Sequence, residues 1–545
     1  MNALDPDLLA ELRELLGERV DDGEVARAAY ARDLSTLGHL HFAAGDGDEA
    51  GPGSDPGWHP GWRPPQAVVR PRSVEEVQAV VRACARAGVP LVPWGAGSGV
   101  CGGTLAVRGG VALDLKGLDR ILEVDRRSLL VTSEAGVNLQ LLEDALQRQG
   151  LSLAHHPSSI TCSTIGGAVA ARGAGQLSTR YGKVEDMVVT LDVVLADGTL
   201  VTTAPPAPRS ATGPDWNQLF TGCEGTLGVI VRCTLRVQLL PALRLFRSWE
   251  FPTLEDALEA VRHGLQRGAR PAAVRLYDPL DTLLVAGASD APPLGEAPEE
   301  QPLGSIWPHS LVSLGRLKRA VERLVPEARE LAEKAFLGRP ALVNRLTNKL
   351  PGVGCLLVTT FEGEPGLARA EEELFAQACA AQRGVAKGPE PAERWWRNRL
   401  AVSFKQSGVY RMGGFVDTME VATSWSRLLE LHERVRAALS PHALVMAHFS
   451  HAYPEGCSIY FTFAALREDP AATLSRYQAA WRDGLAAAVA SGACVSHHHG
   501  VGLLKGEALR AAQGSLHERV FRPIKAALDP QDLLNPGKLG LRGEA

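Results

Sequence analysis

Three consecutive histidines, His497, His498 and His499, precede Gly500 in CVSHHHGVGLLK (494–505). Imidazole exchanges protons near neutral pH, so three together form a candidate acid/base centre. On a strand their side chains would alternate, with His497 and His499 on one face and His498 on the other. A second set of chemistry-bearing positions is rich in glycine. PWGAGSGVCGGT (93–104) contains G-x-G-x-x-G at Gly97, Gly99 and Gly102. In a dinucleotide-binding fingerprint this spacing opens a helix. Here TLAVRGGVALDL follows, with turn and strand character and no helical period. A glycine loop between strands still brings several backbone N–H groups close to a phosphate. A small-residue loop around Thr164, Ile165, Gly166 and Gly167, and CEGTLGVI (223–230), make two further motifs.

The elements that must position these loops read as α+β. Ser73 and Glu76 form a capping-box pattern. Val77, Val80, Val81 and Cys84 then share a helical face until Gly88 and Pro90 end it before strand LVPW (91–94). Strands are expected at 111–115, 129–136, 188–198 and 227–237, with one helix capped by Asn138 and stopped at Gly150. A second unit starts over 243–278 with strand RLFRSWEF, a helix from about Leu254 and strand AAVRLYD. Residues 284–306 read as a loop. Residues 308–350 read as apolar helix interleaved with Arg316, Lys318, Arg319, Arg323, Lys334, Arg339, Arg345 and Lys349. That segment is either an ordinary surface helix pair or a face lying on an anionic membrane.

Composition narrows the classes. A chain of 545 residues is longer than one core supports, so two or more domains are expected. Its net charge of −5, with both signs interspersed, argues against nucleic acid as a partner. The nine cysteines, at 84, 101, 162, 223, 233, 355, 379, 457 and 494, contain no C-x-x-C pair. They read as reduced thiols in a cytoplasmic protein. The acidic, helical start MNALDPDLLAELRELLGE has no secretory pattern, and no run of about 18 apolar residues is present to span a bilayer.

The three glycine motifs, in this order over about 65–240, resemble the FAD-binding domain of the vanillyl-alcohol-oxidase and p-cresol-methylhydroxylase superfamily. The resemblance implies a two-subdomain FAD-binding domain over 65–242 behind an N-terminal helix and linker (1–64). It also implies an α+β cap domain of the FAD-linked oxidase type over 243–545, with a C-terminal segment returning to the flavin. FAD would then meet Pro93, Gly95, Ala96, Gly97, Ser98, Gly99 and Val100 of the first motif. From the second it would meet Pro157, Ser158, Thr161, Thr164, Gly166, Gly167, Ala171, Arg172 and Gly173, and from the third Glu224, Gly225, Thr226, Gly228, Val229 and Ile230. Covalent members attach the flavin through a His or Cys, commonly a His just after the first loop's glycines. Ser98-Gly99-Val100, with Cys101 beyond, implies non-covalent FAD.

The HHHG run resembles the alkyl-dihydroxyacetonephosphate synthases, which exchange the acyl group of acyl-dihydroxyacetone phosphate for a fatty alcohol in ether lipid synthesis. Ile459-Tyr460 within GCSIYFTFAA fits that family's I-Y-F-x-F strand, whose tyrosine is an acid/base partner. Trp396 to Arg399, Asp417 to Glu420 with Trp425, and the closing DPQDLLNPGK fit as well. The resemblance implies proton transfer by Tyr460, His497, His498 and His499, and substrate anchoring by Arg399 and by Lys405 or Arg411. Oxidised FAD acts as an electrophile, a carboxylate leaves, a fatty alcohol enters, and the flavin ends the cycle oxidised. One departure is that the family's phosphate-binding arginine aligns with Gln406.

The related flavin-linked D-2-hydroxyacid dehydrogenases carry metal-binding His and Glu where this chain has Tyr460 and His498. Loss of that hard ligation disfavours a metal, although His448 and His451 remain candidate ligands. Oxidation of a 2-hydroxyacid or another alcohol is the alternative reading, followed by a flavin-binding subunit without catalysis. Relatives imply a homodimer, and a lipid substrate would give 308–350 a membrane-facing role.

Overall fold

In this computed structural model, which describes residues 4–38, 40, 64–205, 210–286, 337–338, 340–347, 354–400, 409–410, 412–466 and 469–541, the acidic N-terminal sequence forms helix α1 (Pro6–Leu16). Its Leu8, Leu12 and Leu16 recur every fourth residue and join the core that also holds Val77, Val80, Val81 and Cys84. The N-terminal segment therefore does not stand apart at residue 64. Met1–Gly175, Gly182–Leu240 and Ser496–Ala545 make one unit, and Gln176–Tyr181 with Pro241–Val495 make the other.

The first unit holds two main sheets. Strands β1 (Val20–Asp21), β2 (Ala67–Val69), β3 (Leu91–Trp94) and β4 (Val111–Asp114) order as β1-β2-β4-β3, with β2, β4 and β3 parallel. Helix α2 (Val74–Ala87) is capped by the Ser73 hydroxyl, which accepts the Glu76 N–H at 3.2 Å. The Glu76 carboxylate instead accepts the Arg72 N–H at 2.7 Å and the Arg19 guanidinium. Strands β5 (Ile121–Asp125), β6 (Leu130–Glu134), β8 (Val188–Val194), β9 (Leu200–Thr202) and β10 (Val229–Arg236) form an antiparallel sheet ordered β5-β6-β10-β8-β9. A short pair, β7 (Leu151–Ser152) with β11 (Gln238–Leu239), lies outside it. Asn138 caps α3 (Leu139–Gln147). The second glycine motif is not a loop: Thr164 caps α4 (Ile165–Ala170), so Gly166 and Gly167 sit in a first helical turn.

The second unit is built on a seven-stranded antiparallel sheet. Its strands are β12 (Leu243–Phe251), β13 (Ala273–Tyr277), β14 (Cys355–Gly363), β15 (Val385–Ala386), β16 (Phe415–Ser424), β17 (Leu444–Ala452) and β18 (Gly456–Ala465). They order as β15-β12-β14-β13-β17-β18-β16. Strand residues alternate between faces, and here the faces differ in chemistry. One buries Phe361, Phe415, Phe461 and Phe463, with Phe361 against Phe375 of α6 (Pro365–Ala381) and Phe463 against Trp481 of α9 (Pro470–Ala490). Helices α5 (Leu254–Gln266) and α8 (Trp425–Leu439) contribute the buried residues Leu258 and Leu428. The opposite face carries Arg244, Arg275, Tyr277, Glu362, Glu420, His448 and Tyr460, with α7 (Glu390–Asn398) packed over its Val358 end. Most of 308–350 lies outside the described residues, which there comprise 337–338 and 340–347.

Candidate functional site

The first unit offers an anion cradle. Among the described residues, the backbone N–H groups of Gly95, Ala96, Gly97, Ser98, Gly99 and Val100 donate to no protein acceptor, while the carbonyls of Gly97 and Gly99 accept the Leu34 N–H. Six consecutive donors without acceptors, in a segment that is not a helix, suit a pyrophosphate. Two glycines are required by space. A Cβ at Gly95 would lie 2.5 Å from the Thr164 hydroxyl, and one at Gly97, where φ is +65°, would lie 2.5 Å from the Trp94 ring. The loops are also tied by Ser98 Oγ to Ser163 Oγ at 2.9 Å. By contrast, the N–H groups of Ile165, Gly166 and Gly167 go to Val137, Ala135 and Thr164, so α4 supplies close packing more than free donors.

Sequence reasoning missed His155. It is buried, and neither ring nitrogen has a hydrogen-bond partner among the described residues. Burial and neighbouring His156 push its pKa down to about 3, so the ring stays neutral. A Cβ at Gly173 would come within 3.8 Å of that ring. Its place two residues before Pro157, at the start of the second motif, was the available signal, and a buried polar group calls for a hydrogen-bond partner. The cradle and this orphaned imidazole fit a bound FAD.

Other motif residues are already engaged. Arg172 pairs with Glu185 at 3.3 Å and donates to Gln218 at 2.8 Å. Gly225 packs on Pro93, Thr226 donates its hydroxyl to the Cys223 carbonyl, and Val229 and Ile230 are buried strand residues of β10. The Glu224 carboxylate accepts the N–H of Val501 at 2.5 Å and of Gly502 at 2.8 Å. Burial raises its pKa, and those two N–H groups oppose the rise. Glu224 thus clamps the loop that carries the histidines.

That loop is not a strand. Residues 496–500 have no ladder partner; the Ser496 hydroxyl closes the turn onto the Gly500 carbonyl at 2.7 Å, and Gly500 has φ +76°. The expected alternation therefore fails. His497 and His498 approach to 2.9 Å between Nδ1 atoms, and His498 and His499 rings lie 4.6 Å apart. Lys183 donates to the His497 carbonyl at 2.6 Å, which fixes the run from below.

In the second unit, Tyr460 lies opposite Glu420 on β16 and His448 on β17. Its ring stacks on His448 at 4.7 Å and 15°. His448 accepts Arg275 at Nε2 (2.8 Å) and faces Asp281 through Nδ1 (3.3 Å), so both nitrogens are engaged and no lone pair is left for a metal. His451 Nδ1 meets the Ser178 hydroxyl at 2.7 Å. Asp417 turns to the helix-covered face, accepting Tyr477 and Trp481. Arg399 follows α7, its guanidinium 3.9 Å from the centre of the Trp396 ring, with Arg244 4.2 Å from the same ring. Glu362 pairs with Arg244 and accepts Tyr181. Burial and Arg244 push Arg399 down to about 10, and its buried Nε has no partner among the described residues. Lys405, Gln406 and Arg411 lie outside the described residues.

Two family models match the chain. Residues 65–204 match the FAD binding domain model, and residues 240–539 match that of the FAD linked oxidases, C-terminal domain. The chain is 27% identical over 548 residues to the alkyldihydroxyacetonephosphate synthase of Dictyostelium discoideum, covering 98% of this chain and 80% of that one. It is 28% identical over 484 residues to the mitochondrial D-lactate dehydrogenase (cytochrome) of Arabidopsis thaliana, covering 87% and 73%. A solved alkyldihydroxyacetonephosphate synthase superposes with TM-score 0.72 at 23% identity over 99% of this chain and 87% of that one. p-Cresol methylhydroxylase with substrate bound gives 0.70 at 18% identity over 98% and 96%.

Proposed function

The chain belongs to the family of FAD-linked oxidases, with FAD as cofactor, and from that premise we propose that it is an alkyl-dihydroxyacetonephosphate-synthase-like enzyme. The observation that carries the reading is the polar sheet face on which a phenol, Tyr460, is stacked on a neutral imidazole, in the same unit as the buried, partly unpaired Arg399 that follows α7. In the exchange, the C–O bond to the acyl group breaks and the carboxylate leaves with the bonding pair. The alcohol oxygen then bonds to the same carbon and its proton is released. Bound flavin supplies the electrophile that makes this displacement feasible.

The remaining work falls to the protein. A phenol can hold or pass a proton at its Oη without adding charge to the site, which suits Tyr460 to the proton that moves at the reacting carbon. Arg399 suits a phosphate: an ammonium would bring only a point charge, whereas the guanidinium edge offers a planar fork. This assigns to Arg399 the role that Gln406 cannot fill, with Lys405 or Arg411 as further anchors. His497, His498 and His499 are assigned to proton transfer, held by Glu224 and Lys183.

The test is to supply palmitoyl-dihydroxyacetone phosphate and hexadecanol to the FAD-loaded protein and measure palmitate released and alkyl product formed. One equivalent of each is expected; palmitate without alkyl product would reduce the enzyme to a hydrolase and defeat the proposal. A second reading, oxidation of a D-2-hydroxyacid, is favoured by the 28% identity to a D-lactate dehydrogenase. Tyr460 and His498, replacing that group's metal-binding His and Glu, weigh against it.

A further inference from the structure

We infer that His448 is a positioning residue for Tyr460: pinned at both edges by Arg275 and Asp281, its ring fixes the plane and the hydroxyl direction of the tyrosine that stacks on it. The two residues are direct cross-strand partners on β17 and β18, and neither strand is at an edge of the seven-stranded sheet. Arginine has only donors, so its 2.8 Å contact requires an unprotonated Nε2 on His448. The ring proton must then sit on Nδ1, aimed at Asp281 Oδ2. One tautomer follows, and rotation of the ring would break both contacts. Burial and the Arg275 charge hold the imidazole well below its ordinary pKa, so it does not charge during turnover and cannot itself be the acid. A flat, neutral, doubly tethered ring at 4.7 Å and 15° is a platform. Tyr277 closes it from the neighbouring strand, 6.1 Å from the His448 ring, and Arg275 lies 5.5 Å from the Tyr277 ring centre.

The inference deepens the synthase reading and rests on it for the kinetic arm alone. Incorporated 3-fluorotyrosine labels the seven tyrosines, and the resonance lost in Tyr460→Phe identifies residue 460. His448→Leu should move that resonance, whereas His448→Phe, which restores a flat ring but neither tether, should return it part of the way. Asp281→Asn keeps an oxygen acceptor for the Nδ1 proton and should change little; Asp281→Leu, which frees one edge of the ring, should move the resonance by less than His448→Leu does. In turnover, His448→Leu should lower kcat about tenfold with KM within about twofold, and His448→Phe should recover part of the loss. The double variant Tyr460→Phe with His448→Leu should be no slower than Tyr460→Phe alone. An unmoved resonance in His448→Leu and Asp281→Leu, or losses that multiply in the double variant, would overturn the inference. A parent enzyme that performs no acyl exchange would instead overturn the synthase reading, with the resonance arm still deciding the role of His448.

Discussion

Among the described residues, Arg399 has no carboxylate of its own. The nearby carboxylate Glu362 already serves Arg244 and Tyr181, and two guanidinium groups share the Trp396 ring. A buried cation in this state lacks an anion. Arg399→Lys retains the charge but removes the fork, so KM for the acyl-dihydroxyacetone phosphate should rise about tenfold while KM for the alcohol stays unchanged. Steady-state kinetics with each substrate varied would check this, and equal effects on both would move the phosphate elsewhere. A second residue makes a claim about pH. Burial raises Asp33 from 3.8 to about 6, although the Ser35 N–H supports its carboxylate at 2.9 Å. The folded state thus holds this proton more tightly than the unfolded chain. The stabilisation is complete below 3.8 and is lost as pH rises through about 6. Asp33→Asn should therefore gain stability over the parent between about pH 4 and pH 7, by up to about 3 kcal/mol. Denaturation midpoints at both pH values would show it, and a constant difference would mean that the carboxylate is compensated when charged.

The loops and short helices set what the sequence could and could not disclose. Helix α2 was legible because its cap, stripe and stop are all local: Ser73, then Val77, Val80, Val81 and Cys84, then Gly88 in the left-handed region at φ +65°. The glycine cradle was legible for the same reason, and the absence of a helix after Gly102 separated it from a dinucleotide-binding turn. The histidine run misled, since alternation presumes a ladder and this segment is instead closed by Ser496 and Gly500. The role of Glu224 was hidden because its partners, Val501 and Gly502, are hundreds of residues away in sequence. His448 was visible only as a metal ligand, and its contact to Arg275 on another strand removes that role. The cradle itself divides two neighbouring glycines. Gly97→Ala places a Cβ against Trp94 at positive φ, while a Cβ at Gly99 would meet nothing within 4 Å. Gly97→Ala should weaken FAD binding at least about tenfold and destabilise by about 1–3 kcal/mol, with Gly99→Ala close to parental in both. Flavin fluorescence titration and thermal denaturation separate them; equal behaviour would show that the loop relaxes.

At the scale of the whole molecule, the chain, after its brief excursion at Gln176–Tyr181, leaves its first unit at Leu240 and returns at Ser496. The return is secured by Asn535 donating to the Gly103 and Glu224 carbonyls, Lys538 to Leu105, and Leu91 N–H to Leu533. The histidines thereby belong to the same unit as the cradle, while Tyr460 and His448, on the sheet, and Arg399, after α7, belong to the second. A flavoprotein assembled in this way can serve redox or non-redox chemistry, and the flavin reports which. The decisive measurement is the anaerobic visible spectrum of the FAD-loaded protein during turnover with palmitoyl-dihydroxyacetone phosphate and hexadecanol, then with D-lactate. The synthase account requires alkyl product to accumulate while the oxidised flavin spectrum is regained, and no lasting bleaching by D-lactate. Stable bleaching by D-lactate without alkyl product would contradict it and make the enzyme a hydroxyacid dehydrogenase.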